Sequence, residues 1–262
     1  MLTRDTFTSR FGRRVVFGMV HLLPLPGAPL FGGSMDEVIE AAVADATAIG
    51  DGGCDGLVVE NFGDRPFFAT RVPAETVAAM TRVVTEIART FTSPIGVNVL
   101  RNDPHAALAV AAATGTAFIR VNVHTGTMIT DQGIIEGAAA DTLRLRASLA
   151  PAVAIFADHL VKHAVPLAAS DPVQTAKDLR LRGLADAVIV TGSETGAAAD
   201  PARLQQLRDA IDAPLLVGSG LTAANARSFA LADGAIVGTS VKEKNGAVDP
   251  KLVAAVVRAF KS

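Results

Sequence analysis

The chain has 262 residues, half of them apolar, with a formal net charge of −2 at pH 7 and one cysteine. This composition excludes a disordered chain and an internal disulfide, and it offers no general attraction to nucleic acid or anionic lipid. The longest apolar runs are shorter than a membrane span, so we expect no transmembrane segment. The single cysteine suits a reducing cytoplasm, where we expect this protein, and the net charge predicts no nucleic-acid partner.

Eight short apolar runs recur along the chain, each rich in β-branched residues and bounded by glycine, proline or polar residues. Near-continuous apolarity is typical of parallel strands that are buried on both faces. These predicted strands span residues 15–20, 56–60, 94–99, 117–122, 152–157, 187–192, 214–218 and 234–239.

Helical patterns lie between the predicted strands, and several begin with an aspartate followed by a proline. The aspartate side chain accepts a free backbone N–H of the first turn, where proline is tolerated because that position has no hydrogen-bond partner. These helix starts are Asp103-Pro104, Asp171-Pro172, Asp200-Pro201 and Asp249-Pro250, and Ser34 and Thr222 are further predicted caps.

Strands that alternate with helices over about 250 residues predict an α/β fold, the (β/α)₈ TIM barrel. We expect a single domain over residues 1–262, with residues 1–14 closing the bottom of the barrel. The alternative is a doubly wound open sheet, which normally has a glycine fingerprint at its first strand–helix turn. Residues 18–33 do not provide that fingerprint, so the barrel is favoured.

Polar side chains gather at the carboxyl ends of the predicted strands, which is the end that bears the active site in such barrels. The opposite strand ends have few reactive groups, although polar residues can also simply mark where a strand ends. The catalytic candidates are His21, Glu60, His124, Asp158 and Lys162. The candidates for binding a substrate are Asn98, Arg101, Arg120 and Asn122.

Asp158 and Lys162 lie four residues apart after the fifth predicted strand. A desolvated lysine can lose its proton and attack a carbonyl or act as a base, whereas an exposed pair of this kind is a surface salt bridge. Both interpretations remain open. The sequence establishes no cofactor, but the carboxylate–histidine set of Glu60, Asp158 and His124 leaves room for a divalent metal.

Glycine-rich loops follow the last three predicted strands. Glycine lets backbone N–H groups approach an anion closely, and the loops after the seventh and eighth strands bind phosphate in many barrels. The alternative is that these are plain tight turns. The predicted phosphate-binding residues are Gly192, Gly218, Ser219, Gly220, Gly238 and Thr239.

Three predicted loops, over residues 22–34, 62–72 and 125–137, are long enough to cover a ligand or to build subunit contacts. The second contains Phe67 and Phe68, for which contact between subunits is the alternative to ligand binding. We therefore expect a homo-oligomer.

The sequence resembles the BtpA family, also called BtpA/SgcQ, in a series of motifs that occur in order along nearly the whole chain. The motifs are GMVHLLPLPGAP, DGLVVENFGDRPF, GVNVLRND, FIRVNVHTG, DQGIIEG, FADHLVKHA, VIVTGSETG and LLVGSGLT. The resemblance implies a TIM-like barrel. It implies two different roles, because the cyanobacterial member is linked to photosystem I assembly and other members occur beside sugar-metabolism genes.

Two functional hypotheses follow. The first is a lyase, aldolase or isomerase acting on a small phosphorylated metabolite such as a sugar phosphate. In it, Glu60 and Asp158 exchange protons, Lys162 polarises a carbonyl or forms an imine, and Arg101 or Arg120 stabilises negative charge. The second is a non-catalytic assembly or regulatory factor that holds a partner on the barrel surface.

Overall fold

The computed structural model describes residues 1–192 and 194–262, and in it eight parallel strands close into a barrel. The strands are β1 (Val15–His21), β2 (Gly56–Glu60), β3 (Ile95–Asn98), β4 (Phe118–Val121), β5 (Thr127–Thr130), β6 (Gly133–Glu136), β7 (Ala154–His159), β8 (Ala164–Pro166), β9 (Ala187–Val190), β10 (Leu215–Val217) and β11 (Gly234–Val237). Around the barrel they follow the order β1-β11-β10-β9-β7-β4-β3-β2, and β6-β5-β8 form a separate antiparallel sheet. This closed ring confirms the predicted (β/α)₈ barrel.

Helices surround the barrel, and the predicted Asp-Pro helix starts are confirmed. Each aspartate side chain accepts a backbone N–H of the first turn that follows it. The helices are α1 (Arg4–Phe11), α2 (Met35–Asp51), α3 (Ala74–Thr90), α4 (Pro104–Thr114), α5 (Ala139–Leu149), α6 (Pro172–Lys177), α7 (Pro201–Ala210) and α8 (Pro250–Lys261). Within the described ranges, no helix combines the length and the apolar character needed to cross a lipid bilayer.

Two regions differ from the sequence-based expectation. Residues 125–137 are not an open loop, because β5 and β6 pair there as a hairpin and β8 adds a third strand. After β10 no capped α-helix follows Thr222. Its hydroxyl instead accepts the N–H of Asn225 within a turn, and a short 3₁₀ helix spans Ala226–Phe229.

The barrel interior is aromatic at the amino ends of the strands and polar at their carboxyl ends. Phe17, Phe118 and Phe156 fill the aromatic end, and Phe7 and Phe11 of α1 pack against them with ring centroids 5.4–5.9 Å apart. Because side chains of a strand alternate between two faces, the same inward faces continue to the polar residues described below. The aromatic layer therefore forms the floor beneath them.

Gly96 shows how tightly this floor is packed. A Cβ placed on Gly96 would lie 2.2 Å from the ring of Phe118, which Phe11, Phe17 and Phe156 hold in place. We expect Gly96→Ala to lower the free energy of unfolding by about 1–3 kcal/mol through overpacking. Urea unfolding measures the change, with Gly32→Ala as the matched control because no atom lies within 4 Å of its added Cβ. Equal stability of the two variants would contradict this packing.

Candidate active site

Two cavities meet at the carboxyl end of the barrel, and most of the predicted site residues lie around them. The outer chamber has a volume of about 590 Å³ and is lined by Glu60, Phe62, Arg65, Phe67, Leu100, Arg101, Asn122, Asp131, Gln132, Lys162, His163, Glu194 and Thr195. The inner chamber has a volume of about 30 Å³ and is lined by Met19, His21, Glu60, Arg120, Lys162, Thr195, Gly196, Gly218, Ser219, Ile236, Gly238 and Thr239. Glu60, Lys162 and Thr195 line both, so the two chambers adjoin at these residues.

Glu60, the last residue of β2, is 5% exposed and points into the barrel mouth. Burial raises the pKa of this carboxyl group, and the positive charges of Arg120 and Lys162 only partly offset that effect. A carboxyl group whose pKa moves towards neutrality can both accept and donate a proton at physiological pH. Glu60 is therefore equipped for general acid–base chemistry.

His21, the last residue of β1, contacts Glu60 but does not form an ion pair with it. Its Nε2 lies 3.7 Å from Glu60 Oε1, and its ring stacks on Phe62 with centroids 4.5 Å apart. Burial, followed by the positive charges of Lys242, Lys162 and Arg120, lowers the pKa of His21 to about 3. The imidazole is thus neutral near pH 7, and it forms part of the wall of the inner chamber.

Arg120 and Asp158 form a fully buried, two-pronged ion pair across neighbouring strands. Arg120 Nε and Nη2 donate to the two carboxylate oxygens of Asp158 at 3.0 Å each. Asn122 Nδ2 donates to Asp158 at 2.9 Å, and Asn98 Nδ2 donates to Asn122 at 3.0 Å. Both oxygens of the Asp158 carboxylate therefore accept hydrogen bonds, and the pair fixes the guanidinium of Arg120 at the inner chamber.

Lys162 does not form a salt bridge with Asp158, because the chain bends sharply between the two residues. Leu160 and His163 have positive φ angles of 49° and 55°, a conformation that residues with a Cβ adopt rarely. Arg101 Nη2 donates to the Lys162 carbonyl at 2.6 Å and holds this turn. Burial, together with the charge of Arg120, lowers the pKa of the Lys162 ammonium group. Lysine with a lowered pKa is suited to nucleophilic or electrophilic roles.

The glycine-rich loops pack against one another at the inner chamber. Ser219 Oγ accepts the N–H of Gly192 at 2.7 Å and donates to the Ala197 carbonyl at 3.0 Å. Gly220 has a φ of +66°, and a Cβ there would lie 2.3 Å from the backbone of Ala198. Gly218, Ser219, Gly238 and Thr239 line the inner chamber, whereas Gly192 and Gly220 support the loops behind it. Ser193, in the predicted GSETG loop, lies outside the described residues.

His124 is not brought into either chamber. Its Nε2 hydrogen-bonds to the Gly183 carbonyl at 2.8 Å, on the side of the barrel wall. Because Asp158 is also occupied by Arg120 and Asn122, the predicted Glu60–Asp158–His124 set does not converge on one point. Among residues 1–192 and 194–262, no group of three histidine, cysteine or carboxylate side chains could hold a metal ion.

Several site residues lie in loops where sequence reasoning identified no chemistry. Thr195 closes over the mouth, where its N–H donates to His163 Nε2 at 3.1 Å. Asp64 accepts the N–H of Leu25 and the side-chain amide of Asn61, and so joins the loops after β1 and β2. The sequence placed the GSETG loop of Thr195 at the rim by its position after a strand, and only loop length signalled the position of Asp64.

Because two buried histidines are neutral, we expect the free energy of unfolding to decrease as the solution becomes acidic. Burial lowers the pKa of His21 to about 3 and of His159 to about 4, so the unfolded chain binds more protons below about pH 6.5. We expect each to remove about 1.4 kcal/mol of unfolding free energy per pH unit as the pH falls below that value. Urea unfolding at pH 7 and pH 5 should show a smaller loss for His159→Gln than for the parent chain. An unchanged pH slope would contradict a buried neutral His159.

The sequence of this chain is similar to those of a protein family and of several of its members. Residues 12–262 match the sequence model described as the BtpA family. The chain is 45% identical over 264 residues to the photosystem I biogenesis protein BtpA of Synechocystis, with 98% of this chain and 91% of that protein covered. It is also 44% identical to an uncharacterized protein of Pyrococcus furiosus, with 91% of this chain and 90% of that protein covered.

Solved structures with the same fold include enzymes of phosphorylated small molecules. A geranylgeranylglyceryl phosphate synthase of Thermoplasma acidophilum, in complex with sn-glycerol-1-phosphate, has a TM-score of 0.63 at 14% identity and covers 100% of this chain and 99% of its own. A thiamine phosphate pyrophosphorylase of Pyrococcus furiosus has a TM-score of 0.60 at 13% identity, with 95% of this chain and 96% of its own covered. At these identities the likeness concerns the barrel fold.

Proposed function

The chain belongs to the BtpA family, and from its site we propose that it is an enzyme that transfers protons at Glu60 on a small phosphorylated metabolite. One observation carries the proposal. Glu60 is buried, has a raised pKa, and lies with Lys162 where the two chambers adjoin. An assembly factor has no need of a desolvated acid beside a desolvated lysine, since both reduce stability.

The site supports a lyase- or isomerase-type reaction at a carbonyl compound. Glu60 removes or returns a proton on carbon, and Lys162 polarises the carbonyl or forms an imine with it. Arg120 stabilises the negative charge that develops on oxygen, because Asp158 holds its guanidinium in place. Asp158 acts as a positioning residue, since its oxygens are occupied by Arg120 and Asn122.

The phosphate group is assigned to the side of the inner chamber formed by Gly218, Gly238 and Thr239. Support comes from the phosphorylated compounds in the names of proteins with this fold. The chamber of about 30 Å³ has room for about one water molecule, so binding of a phosphate group requires the chamber to widen. A sugar phosphate is the metabolite class that fits a carbonyl at Lys162 and a phosphate here.

The test is a thermal-unfolding screen against triose to hexose phosphates and their unphosphorylated sugars. We expect at least one phosphate ester to raise the melting temperature, because a ligand that binds only the folded state stabilises it. Thr239→Asp should abolish the shift by placing a carboxylate in the inner chamber. Thr47→Asp is the control, since it adds the same charge on the exposed face of α2. Shifts that are equal in both variants would contradict the phosphate assignment.

The second candidate function is a non-catalytic assembly factor, which the name of the Synechocystis relative favours. This role predicts that no phosphorylated compound stabilises the chain and that Glu60→Gln leaves the biological effect of the protein intact.

Within the enzyme proposal, borohydride reduction in the presence of the stabilising sugar phosphates distinguishes the two roles proposed for Lys162. A covalent adduct on Lys162 that is absent in Lys162→Met identifies the imine route, and no adduct leaves polarisation of the carbonyl.

A further inference from the structure

A third cavity lies beside the chambers, beneath the small sheet of β5, β6 and β8. Its volume is about 330 Å³, and the loops after β4 and β7 form its walls. We call it the apolar pocket, and its apolar lining includes Val123, Met128, Val161, Leu167 and Leu179. Neither the proton transfer at Glu60 nor the phosphate assignment uses this space.

Of the described residues that line the apolar pocket, only Asp158 and Asp178 have charged side chains, and both are carboxylates. Asp158 lies at its base, but both carboxylate oxygens are bonded to Arg120 and one also to Asn122. His159 Nε2 donates to the Pro172 carbonyl at 2.9 Å, and burial lowers the pKa of this histidine to about 4, so the ring is neutral. Within the part of the chain that the structure describes, no lysine or arginine lines the pocket. A free anion would therefore find no counter-charge there.

The turn at residues 160–163 separates the apolar pocket from the outer chamber. Leu160 and His163 have positive φ angles in this turn, and the lining changes from one cavity to the other between residues 161 and 162. Val161 lines the apolar pocket and Lys162 lines the chambers. Asn122 lines both cavities, so a ligand at Lys162 has the apolar pocket directly beside it. Strained conformations of this kind persist where surrounding contacts determine them, and they cluster at ligand sites.

We propose that the apolar pocket binds an uncharged apolar part, a ring or short hydrocarbon chain, of the same molecule whose carbonyl lies at Glu60 and Lys162 and whose phosphate lies in the inner chamber. This inference rests on the proposed function for the phosphorylated end, and it narrows the substrate class to phosphate compounds with an apolar substituent. A mostly apolar cavity with few polar groups is the usual form of such a subsite. The chambers and the apolar pocket then bind opposite ends of one molecule.

The first experiment tests the pocket alone with N-phenyl-1-naphthylamine, an uncharged dye that fluoresces in apolar surroundings. We expect saturable binding to the full chain and a loss of about tenfold or more in affinity for Ala169→Phe, which fills the pocket from its exposed edge. Ser170→Trp is a second blocking variant in case Ala169→Phe unfolds. Ala112→Phe, on the exposed face of α4, is the control and should bind as the parent does. Equal dye affinity in all variants would overturn the pocket assignment.

The second experiment tests whether one molecule occupies both sites. It compares the affinities of the chain for hexyl phosphate, glycerol phosphate and inorganic phosphate. We expect hexyl phosphate to bind about tenfold or more tighter than glycerol phosphate, and Ala169→Phe to remove that difference. Equal affinities of the two esters would overturn the inference while leaving the phosphate site intact. Dye binding without binding of any phosphate compound would instead defeat the proposed function, and with it the shared substrate.

Discussion

Arg120→Met should lower the free energy of unfolding by about 3–5 kcal/mol, because it leaves the carboxylate of Asp158 buried without its counter-charge. Both side chains of the pair are almost fully inaccessible to solvent, and two hydrogen bonds of 3.0 Å join them. Asn122 alone would then face the charge. Urea unfolding followed by far-UV circular dichroism at pH 7 measures the loss.

The double variant Arg120→Met/Asp158→Leu separates two contributions to the free energy of unfolding. One is the net contribution of the ion pair, and the other is the cost of burying an unpaired charge. We expect it to regain most of the lost stability, since replacing both buried partners with apolar residues is often neutral. Arg89→Met is the surface control, because the exposed pair of Arg89 and Glu86 should contribute less than about 1 kcal/mol. Loss in the double variant as large as in Arg120→Met would show that packing, and not charge, explains the effect.

Glu60→Gln should lower the turnover number by about 10²- to 10⁴-fold, the usual contribution of a general acid or base. The amide keeps the size of the side chain but cannot exchange the proton. Stability should stay equal or rise, because burial of the ionised carboxylate is itself unfavourable. The measurement is proton–deuterium exchange at carbon in the sugar phosphate that stabilises the chain, followed by nuclear magnetic resonance.

The pH dependence provides an independent readout of Glu60. If it acts as a base, exchange should increase with pH through an apparent pKa above the ordinary carboxyl value, because burial raises the pKa of Glu60. That limb of the profile should be absent in Glu60→Gln, and Glu60→Asp should retain it at a reduced rate. A fully active Glu60→Gln enzyme would remove Glu60 from the reaction.

The positions of the site residues could be predicted from the sequence more readily than the residues with which they form ion pairs and hydrogen bonds. Apolar runs locate the strands, and strand ends locate Glu60, Arg120 and Asp158 at one rim. The spacing of Asp158 and Lys162 left open a salt bridge between them, but the chain makes a turn with positive φ at Leu160 and the two side chains do not pair. The actual partner, Arg120, is 38 residues away in sequence and adjacent only because β4 and β7 are neighbours.

Two further differences arise from tertiary context. The strands of residues 127–136 are short and half-exposed, so their pattern does not stand out from that of a long loop. Gly133, with a φ of +104°, and the β-branched residues on either side of it were the available hairpin signal. His124 lies at a strand end like the other candidates, but a carbonyl contributed by Gly183 draws its ring away from the mouth. No local pattern contains that contact.

In the part of the chain that the structure describes, the aromatic floor closes the barrel at the end opposite the mouth, where Phe7 and Phe11 are buried. In the proposed reaction, reactant and product at Glu60 would therefore share the route through the mouth. A product that still carries the phosphate and the apolar group would occupy the route until it leaves. Competitive inhibition by product, and turnover limited by release instead of by chemistry, are therefore the kinetic behaviour that this architecture favours.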